Sequence, residues 1–252
     1  MLTCKLLGPY HTIESVLNSG LGNQLFLYAL TRTVAEKKGY KFFIDPVIWQ
    51  GHGLFNVDLG ERDGEVKNTF HDNYEVEFNP LVFDVEDFTL FYGFFQSEKY
   101  FDHAKVRQWF KPIISPRCQY SYGDYCFIHF RGGDYGIPPW DKIQLPMPYY
   151  NEAKERMLQI NPNLKFVIVT NNKQEAVKLF PEDEVVSGTV EEDFVLLSGA
   201  KYLIISNSSF SWWTAWLNPS DNIIAPHGWL NYNKDKDRFS PTDIKVERFT
   251  WI

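Results

Sequence analysis

Cysteine is scarce in this chain, and its few copies are badly placed for pairing. Cys4, Cys118 and Cys126 are odd in number, widely spaced and never in a CxxC arrangement. That excludes a disulfide framework and gives no zinc-ligand spacing, and it fits a reducing cytoplasm. Long hydrophobic runs are missing too. Nothing approaches the roughly 20 apolar residues that span a bilayer, and the first residues lack the charged-then-apolar pattern of a secretion signal. The expectation is a soluble cytoplasmic protein with no transmembrane segment, at most peripheral to a membrane. Positive charge is also in deficit, with 25 Lys plus Arg against 32 Asp plus Glu and a net charge of -7. Proteins that hold nucleic acid by neutralising many phosphates need the opposite balance, so that partner class is excluded. A single nucleotide in a local pocket remains compatible with it.

What is present suits an α/β protein. The 252 residues suffice for two small domains, each with its own core. Aromatics reach 17%, which serves cores and flat ligand surfaces alike. The chain opens β-α-β, with a strand over 13–18, a glycine turn, a helix over 23–38 and a strand over 41–45. Phe26, Leu30 and Val34 recur at helical spacing, and Gly39 sits where a helix would stop. A strand over 89–94 and a helix over 96–110 follow. Pro112, Pro116 and a Ser/Tyr/Gly-rich run to Gly123 then mark a linker. Beyond it, continuously apolar strands over 125–130, 166–170, 202–205 and 222–225 alternate with helices over 149–159, 173–180 and 191–198, the pattern of a covered parallel sheet. The expected fold is two Rossmann-like domains, 1–118 and 119–252, facing a central cleft, with ligands beyond the carboxyl ends of the strands.

Three segments carry polar residues to such strand ends. Gly20-Leu21-Gly22-Asn23-Gln24 lies between a strand and a helix, where backbone can approach a ligand; it also reads as a plain tight turn. As a dinucleotide fingerprint, with Asp45 as the ribose acid, it fails at Leu25, which replaces the third glycine. His129-Phe130-Arg131-Gly132-Gly133-Asp134 follows a buried strand. Arg131 offers a forked guanidinium to a diphosphate; taken alone, the segment reads more readily as a structural histidine and an Arg131–Asp134 ion pair. Ser206-Asn207-Ser208-Ser209-Phe210-Ser211 joins a strand to a helix and offers hydroxyls and backbone N–H groups to an anion. Trp212, Trp213 and Trp216 beyond it read as core. Asp235-Lys236-Asp237 has no apolar strand before it and reads as a solvated loop rather than a metal-binding DxD.

Together these segments resemble glycosyltransferase family 11, the α-1,2-fucosyltransferases. Ser19-Gly20-Leu21-Gly22-Asn23-Gln24-Leu25-Phe26-Leu27-Tyr28-Ala29 is similar to the family's opening pattern. The segment from Gly93 to Phe101 is similar to its mid-chain segment, and Ser206 to Trp213 followed by Ala215 to Asn218, with Ile224-Ala225-Pro226 before Trp229, to its signature. The resemblance implies a GT-B fold and metal-independent, inverting transfer from GDP-fucose to a glycan hydroxyl, with no cofactor beyond that donor. It places His129 and Asp193 against guanine, Arg131 on the β-phosphate, and Ser208, Ser209 and Phe210 in the phosphate and nucleoside cradle. Asn23 falls near the reacting sugar, and Gly22 and Gln24 beside it are expected to bind the donor. Two departures stand out: the motif's second arginine is Gly132, and a usual acidic pair is Asn171-Asn172.

The mechanism implied is one displacement at the anomeric carbon, with Arg131 and the serine turn stabilising the departing diphosphate and Asp134 as the general base. The rivals are a transferase using another GDP-sugar and a non-catalytic nucleotide- or carbohydrate-binding homologue. A nicotinamide oxidoreductase is disfavoured by Leu25.

Overall fold

The computed structural model describes residues 1–4, 20–72, 77–115, 120, 123–138, 141–231 and 241–252. The strand expected over 13–18, Ser19, Cys118, the domain boundary expected at 118/119 and Asp235-Lys236-Asp237 lie outside the described residues. The chain divides into two compact units. One is Met1–Ile113 with Pro241–Lys245, the other Ile114–Ser240 with Val246–Ile252.

The first unit runs β1 (Leu2–Cys4), α1 (Leu21–Lys38), β2 (Phe42–Phe43), β3 (Asn68–His71), β4 (Thr89–Tyr92) and α2 (His103–Trp109). Its sheet has the order β2-β1-β4-β3, with every pair parallel. Helix α1 is apolar on most of its circumference, and Leu25, Phe26, Leu30 and Val34 are fully buried. It stops at Gly39, whose φ of 68° is the left-handed value glycine tolerates, with Lys37 and Lys38 in the last turn facing the negative helix end. Two expectations need correction. The strand over 89–94 ends at Tyr92, because Gly93 turns the chain at φ 147°. The helix over 96–110 is broken into a 3-10 turn at Glu98–Tyr100 and α2, since Asp102 accepts a bond from the Lys105 N–H and caps a new helix.

The second unit runs β5 (Tyr125–Phe130), α3 (Met147–Ile160), β6 (Lys165–Thr170), α4 (Lys173–Leu179), β7 (Glu184–Val186), α5 (Val190–Ser198), β8 (Tyr202–Ile204), α6 (Ser209–Leu217), β9 (Ile223–Ala225) and β10 (Thr250–Trp251). The sheet order is β10-β9-β8-β5-β6-β7, again parallel throughout. From β5 the chain winds outward through β6 to β7, and α5 then returns it to β8 on the other side of β5. The winding therefore reverses between β5 and β8, the topological switch point of this sheet. Ile128, Phe130, Tyr149, Tyr150, Met157 and Ile168 pack in one core cluster. The Tyr149 hydroxyl resolves its own burial by donating to the Ile205 carbonyl at 2.6 Å. Arg248 donates to the carbonyls of Ala215 and Trp216, a cation closing the C-terminal end of α6.

Candidate active site

Strands β5 and β8 lie in register, Ile128 level with Ile204. The residues that follow them, 129–131 and 205–210, therefore leave the sheet side by side at the switch point. Topology alone brings together two segments more than 70 positions apart.

His129, the fifth residue of β5, is 4% exposed. Its Nδ1 lies 2.7 Å from the Ser206 Oγ. Its ring sits 5.6 Å from Phe210, which meets Phe194 edge-on at 5.5 Å. Burial, helped by the nearby Arg131 charge, pushes the imidazole down to about 3, so at neutral pH the ring carries one donor and one acceptor nitrogen. Linkage fixes the sign of its effect on stability. Between about 3 and the ordinary value near 6.5 the unfolded chain binds the proton and the folded one does not, so stability rises with pH across that window and is level above it. Relative to His129→Gln, the unsubstituted protein should lose about 1.4 kcal/mol for each pH unit descended within the window. Urea titrations of both proteins from pH 7.5 to 4 would show it as diverging midpoints.

The serine turn is more than a helix cap. Ser211 donates back to the carbonyls of Ser206 and Ser208, at 3.0 and 3.1 Å, and so closes the turn. Ser208 is the N-cap of α6, yet its hydroxyl makes no capping bond, and the first turn carries no acidic side chain. A helix end of this kind presents N–H groups that no intrahelical carbonyl can take. Ser209 and Phe210 are both half-buried.

Arg131 reaches the Asp134 carboxylate with one terminal nitrogen at 2.9 Å and lies over the Tyr135 ring, 5.4 Å from its centre. Its Nε is buried and has no hydrogen-bond partner among the described residues. A buried donor left so costs about 1–3 kcal/mol, which an acceptor arriving with a ligand would relieve. Asp193, in the first turn of α5, accepts from the Gly188 N–H at 3.0 Å. Burial, with a smaller contribution from the Glu192 charge, raises its carboxyl to about 6, against the lowering effect of that bond.

In the first unit, Asn23 stands in the opening turn of α1, and its Oδ1 accepts from Gln96 Nε2 at 2.9 Å. Gln96 follows β4, the neighbour of β1, so this pair also sits where its own sheet changes direction. The loop that aims Gln96 is held by Asp72, whose carboxylate accepts from the N–H groups of Phe94 and Phe95, at 3.1 and 2.7 Å. Phe95 is buried at φ 50°, a strained value for a bulky residue. Gly22 is buried in α1. Gln24 is fully buried, donating to the Ile48 carbonyl and accepting from the Gln50 N–H; its amide ties α1 to the 48–50 loop. The sequence did not single out Gln96, and it offered Ser206 only as one hydroxyl of the anion-binding turn and not as the partner of His129; what identifies both is a partner more than 70 positions away. Among the described residues no group of three or more His, Cys, Asp or Glu could hold a metal ion. No helix among them is long and apolar enough to cross a membrane.

Comparison with known proteins identifies the family and the fold. The family model for Glycosyl transferase family 11 matches residues 81–251. An alpha-1,2-colitosyltransferase of Escherichia coli is 32% identical over 92% of this chain and 97% of its own length. The O-antigen biosynthesis glycosyltransferase WbnK of the same organism is 32% identical over 43% of this chain and 40% of its own. Among solved structures, the E. coli heptosyltransferase WaaC with ADP aligns over 100% of this chain and 92% of its own, with a TM-score of 0.50 and 12% identity, a likeness of fold alone. The α/β architecture is GT-B-like, and the chain is a glycosyltransferase that belongs to family 11.

Proposed function

We propose that this protein transfers L-fucose from GDP-fucose to a glycan hydroxyl, in α-1,2 linkage to a terminal galactose, with inversion and without a metal ion. The observation that carries the reading is the convergence at the β5/β8 switch point of a buried neutral histidine, an arginine with an unpartnered Nε and an uncapped serine-rich helix start. In this scheme His129 and Asp193 read the guanine, and Phe210 covers the nucleoside. The first turn of α6, through Ser208 and Ser209, takes one phosphate, and Arg131 takes the β-phosphate.

Displacement then forms the bond from the acceptor oxygen to the anomeric carbon and breaks the bond from that carbon to the diphosphate. Charge grows on the leaving GDP, which is where a preorganised guanidinium acts. Asp134 takes the acceptor proton, and Asn23, whose Oδ1 accepts from Gln96, is assigned to the sugar by the family resemblance alone. If Asp134→Asn leaves turnover untouched, its role is confined to pairing with Arg131.

A second reading has a specific observation behind it, namely that the relative matched over 92% of this chain is named for colitose. Colitose is fucose without its 3-hydroxyl, and a site that hydrogen-bonds that hydroxyl rejects the deoxy sugar by about 10⁴-fold or more. Incubation with lactose and either GDP-sugar, with and without EDTA, separates the cases by product mass. Fucosylated product in EDTA supports the proposal, and transfer of colitose alone replaces the donor. GDP binding with neither transfer nor donor hydrolysis would leave only a binding protein.

The guanine assignment has its own pH signature. The two adjacent N–H donors of guanine need an ionised carboxylate, and Asp193 takes up a proton as pH falls through about 6. GDP affinity is expected to weaken by up to about tenfold per pH unit below that point, one proton being bound in competition with the base. Calorimetry at pH 7.5, 6 and 5 should show this slope in the unsubstituted protein and a flat, weaker response in Asp193→Asn.

A further inference from the structure

The turn that carries Arg131 is fastened to the neighbouring strand end by Asn171 and Glu175. Asn171, just past β6, makes a two-point bridge to the backbone of residue 132. Its Oδ1 accepts from the Gly132 N–H at 3.0 Å, and its Nδ2 donates to the Gly132 carbonyl at 3.3 Å. Glu175, in α4, accepts the Gly133 N–H at 3.1 Å through Oε2 and the Gln144 amide at 2.6 Å through Oε1. Asn172 caps α4 by accepting from the Glu175 N–H and donates to the same Oε2 at 3.0 Å. Consecutive backbone amides are thus captured by two side chains from the β6/α4 corner.

Both glycines are needed for this arrangement. A Cβ on Gly132 would stand 2.5 Å from the Glu175 carboxylate and 2.9 Å from the Phe130 ring, and Gly133 has φ 67°. An aspartate at 171 could accept from the Gly132 N–H but would set a carboxylate against its carbonyl, so the position calls for an amide. The departures at 132 and 171 are therefore one packing unit with Glu175.

Electrostatics makes that unit informative. A carboxylate beside an anion site opposes anion binding, so a stabilising role for Glu175 there has to come from geometry. We propose that Asn171 and Glu175 are positioning residues that fix the 131–134 turn so that the Arg131 guanidinium meets the leaving diphosphate. This rests on the reading of Arg131 given above. A guanidinium displaced by about 1 Å forfeits as much as 10²-fold in rate.

The test is a double-mutant cycle read in two ways, as kcat with GDP-fucose per folded molecule and as the dissociation constant of GDP. Glu175→Ala and Asn171→Ala should each lower kcat by about 10- to 100-fold and weaken GDP, although the first removes a negative charge. In an Arg131→Ala background neither should cost anything further. Glu175→Gln should recover most of the activity, because one amide oxygen still accepts from Gly133 while its NH₂ meets a turned Gln144 amide. Asn171 is exposed, so its variant keeps the test sound if Glu175→Ala folds poorly. Tighter GDP binding in Glu175→Ala, unchanged kcat, or losses that add to that of Arg131→Ala would overturn the positioning role alone. An unsubstituted protein that fails to bind GDP would overturn the parent reading, and this one with it.

Discussion

Arg131→Ala is expected to lower turnover with GDP-fucose by about two to three orders of magnitude, the range for losing one preorganised donor to a developing anion. Three features place the burden there. The side chain leaves the sheet at the switch point, its Nε is buried without a partner among the described residues, and its turn is held by backbone bonds to Asn171 and Glu175. The start of α6 contributes less, because helix-end electrostatics supply only about 0.3–1 kcal/mol, rising to ~2 in partly buried geometry. Ser208→Ala should accordingly cost much less than Arg131→Ala. Arg131→Lys should rescue little, since a point charge reproduces neither the fork nor the Nε position. Single-turnover rates at saturating donor isolate the chemical step from binding. Near-normal rates in Arg131→Ala would remove the arginine from the mechanism and leave the serine turn as the phosphate site.

Legibility of the fold followed burial. The apolar run at 125–130 coincides with β5, and those at 166–170, 202–205 and 222–225 match β6, β8 and β9 to within a residue at each end. Strands covered on both faces announce themselves by continuous hydrophobicity. β3 does not, because only Phe70 of Asn68–His71 is even half-buried, and β7 has an exposed Glu184. The break before α2 was hidden because Tyr100 and Phe101 continue an apolar pattern across it, while a single capping aspartate decides where the helix restarts. The site divides in the same way. Residue types with obvious chemistry, His129, Arg131 and the serines, could be read from motifs. The contacts between them could not. His129 finds Ser206, Asn23 finds Gln96, and Gly133 finds Glu175 only through strand order. Glu175 gave no signal at all, being a lone acidic residue in the first turn of a short, ordinary helix.

Trp216→Ala is expected to destabilise the protein by about 3–5 kcal/mol, the cost of emptying a large aromatic site in a packed interior. Trp212, Trp213 and Trp216 are 0%, 0% and 1% exposed. Their rings contact one another at 5.1, 6.2 and 5.5 Å, with Trp212 and Trp216 stacked at 10°. No face is left for a sugar, so the effect belongs to folding rather than acceptor binding. Domains hold only about 5–15 kcal/mol of net stability, and such a loss would unfold part of the population near body temperature. The same helix carries Ser209 and Phe210 in its first turn, which couples this core to the proposed nucleotide site. A ligand that binds only the folded form restores about 2.7 kcal/mol at a hundred times its dissociation constant. GDP at that excess should therefore recover most of the lost folded fraction in a denaturant titration. Activity per folded molecule should stay close to that of the unsubstituted protein. Unchanged stability with a raised acceptor KM would instead make this cluster a sugar platform, and the packing account of α6 would have to be given up.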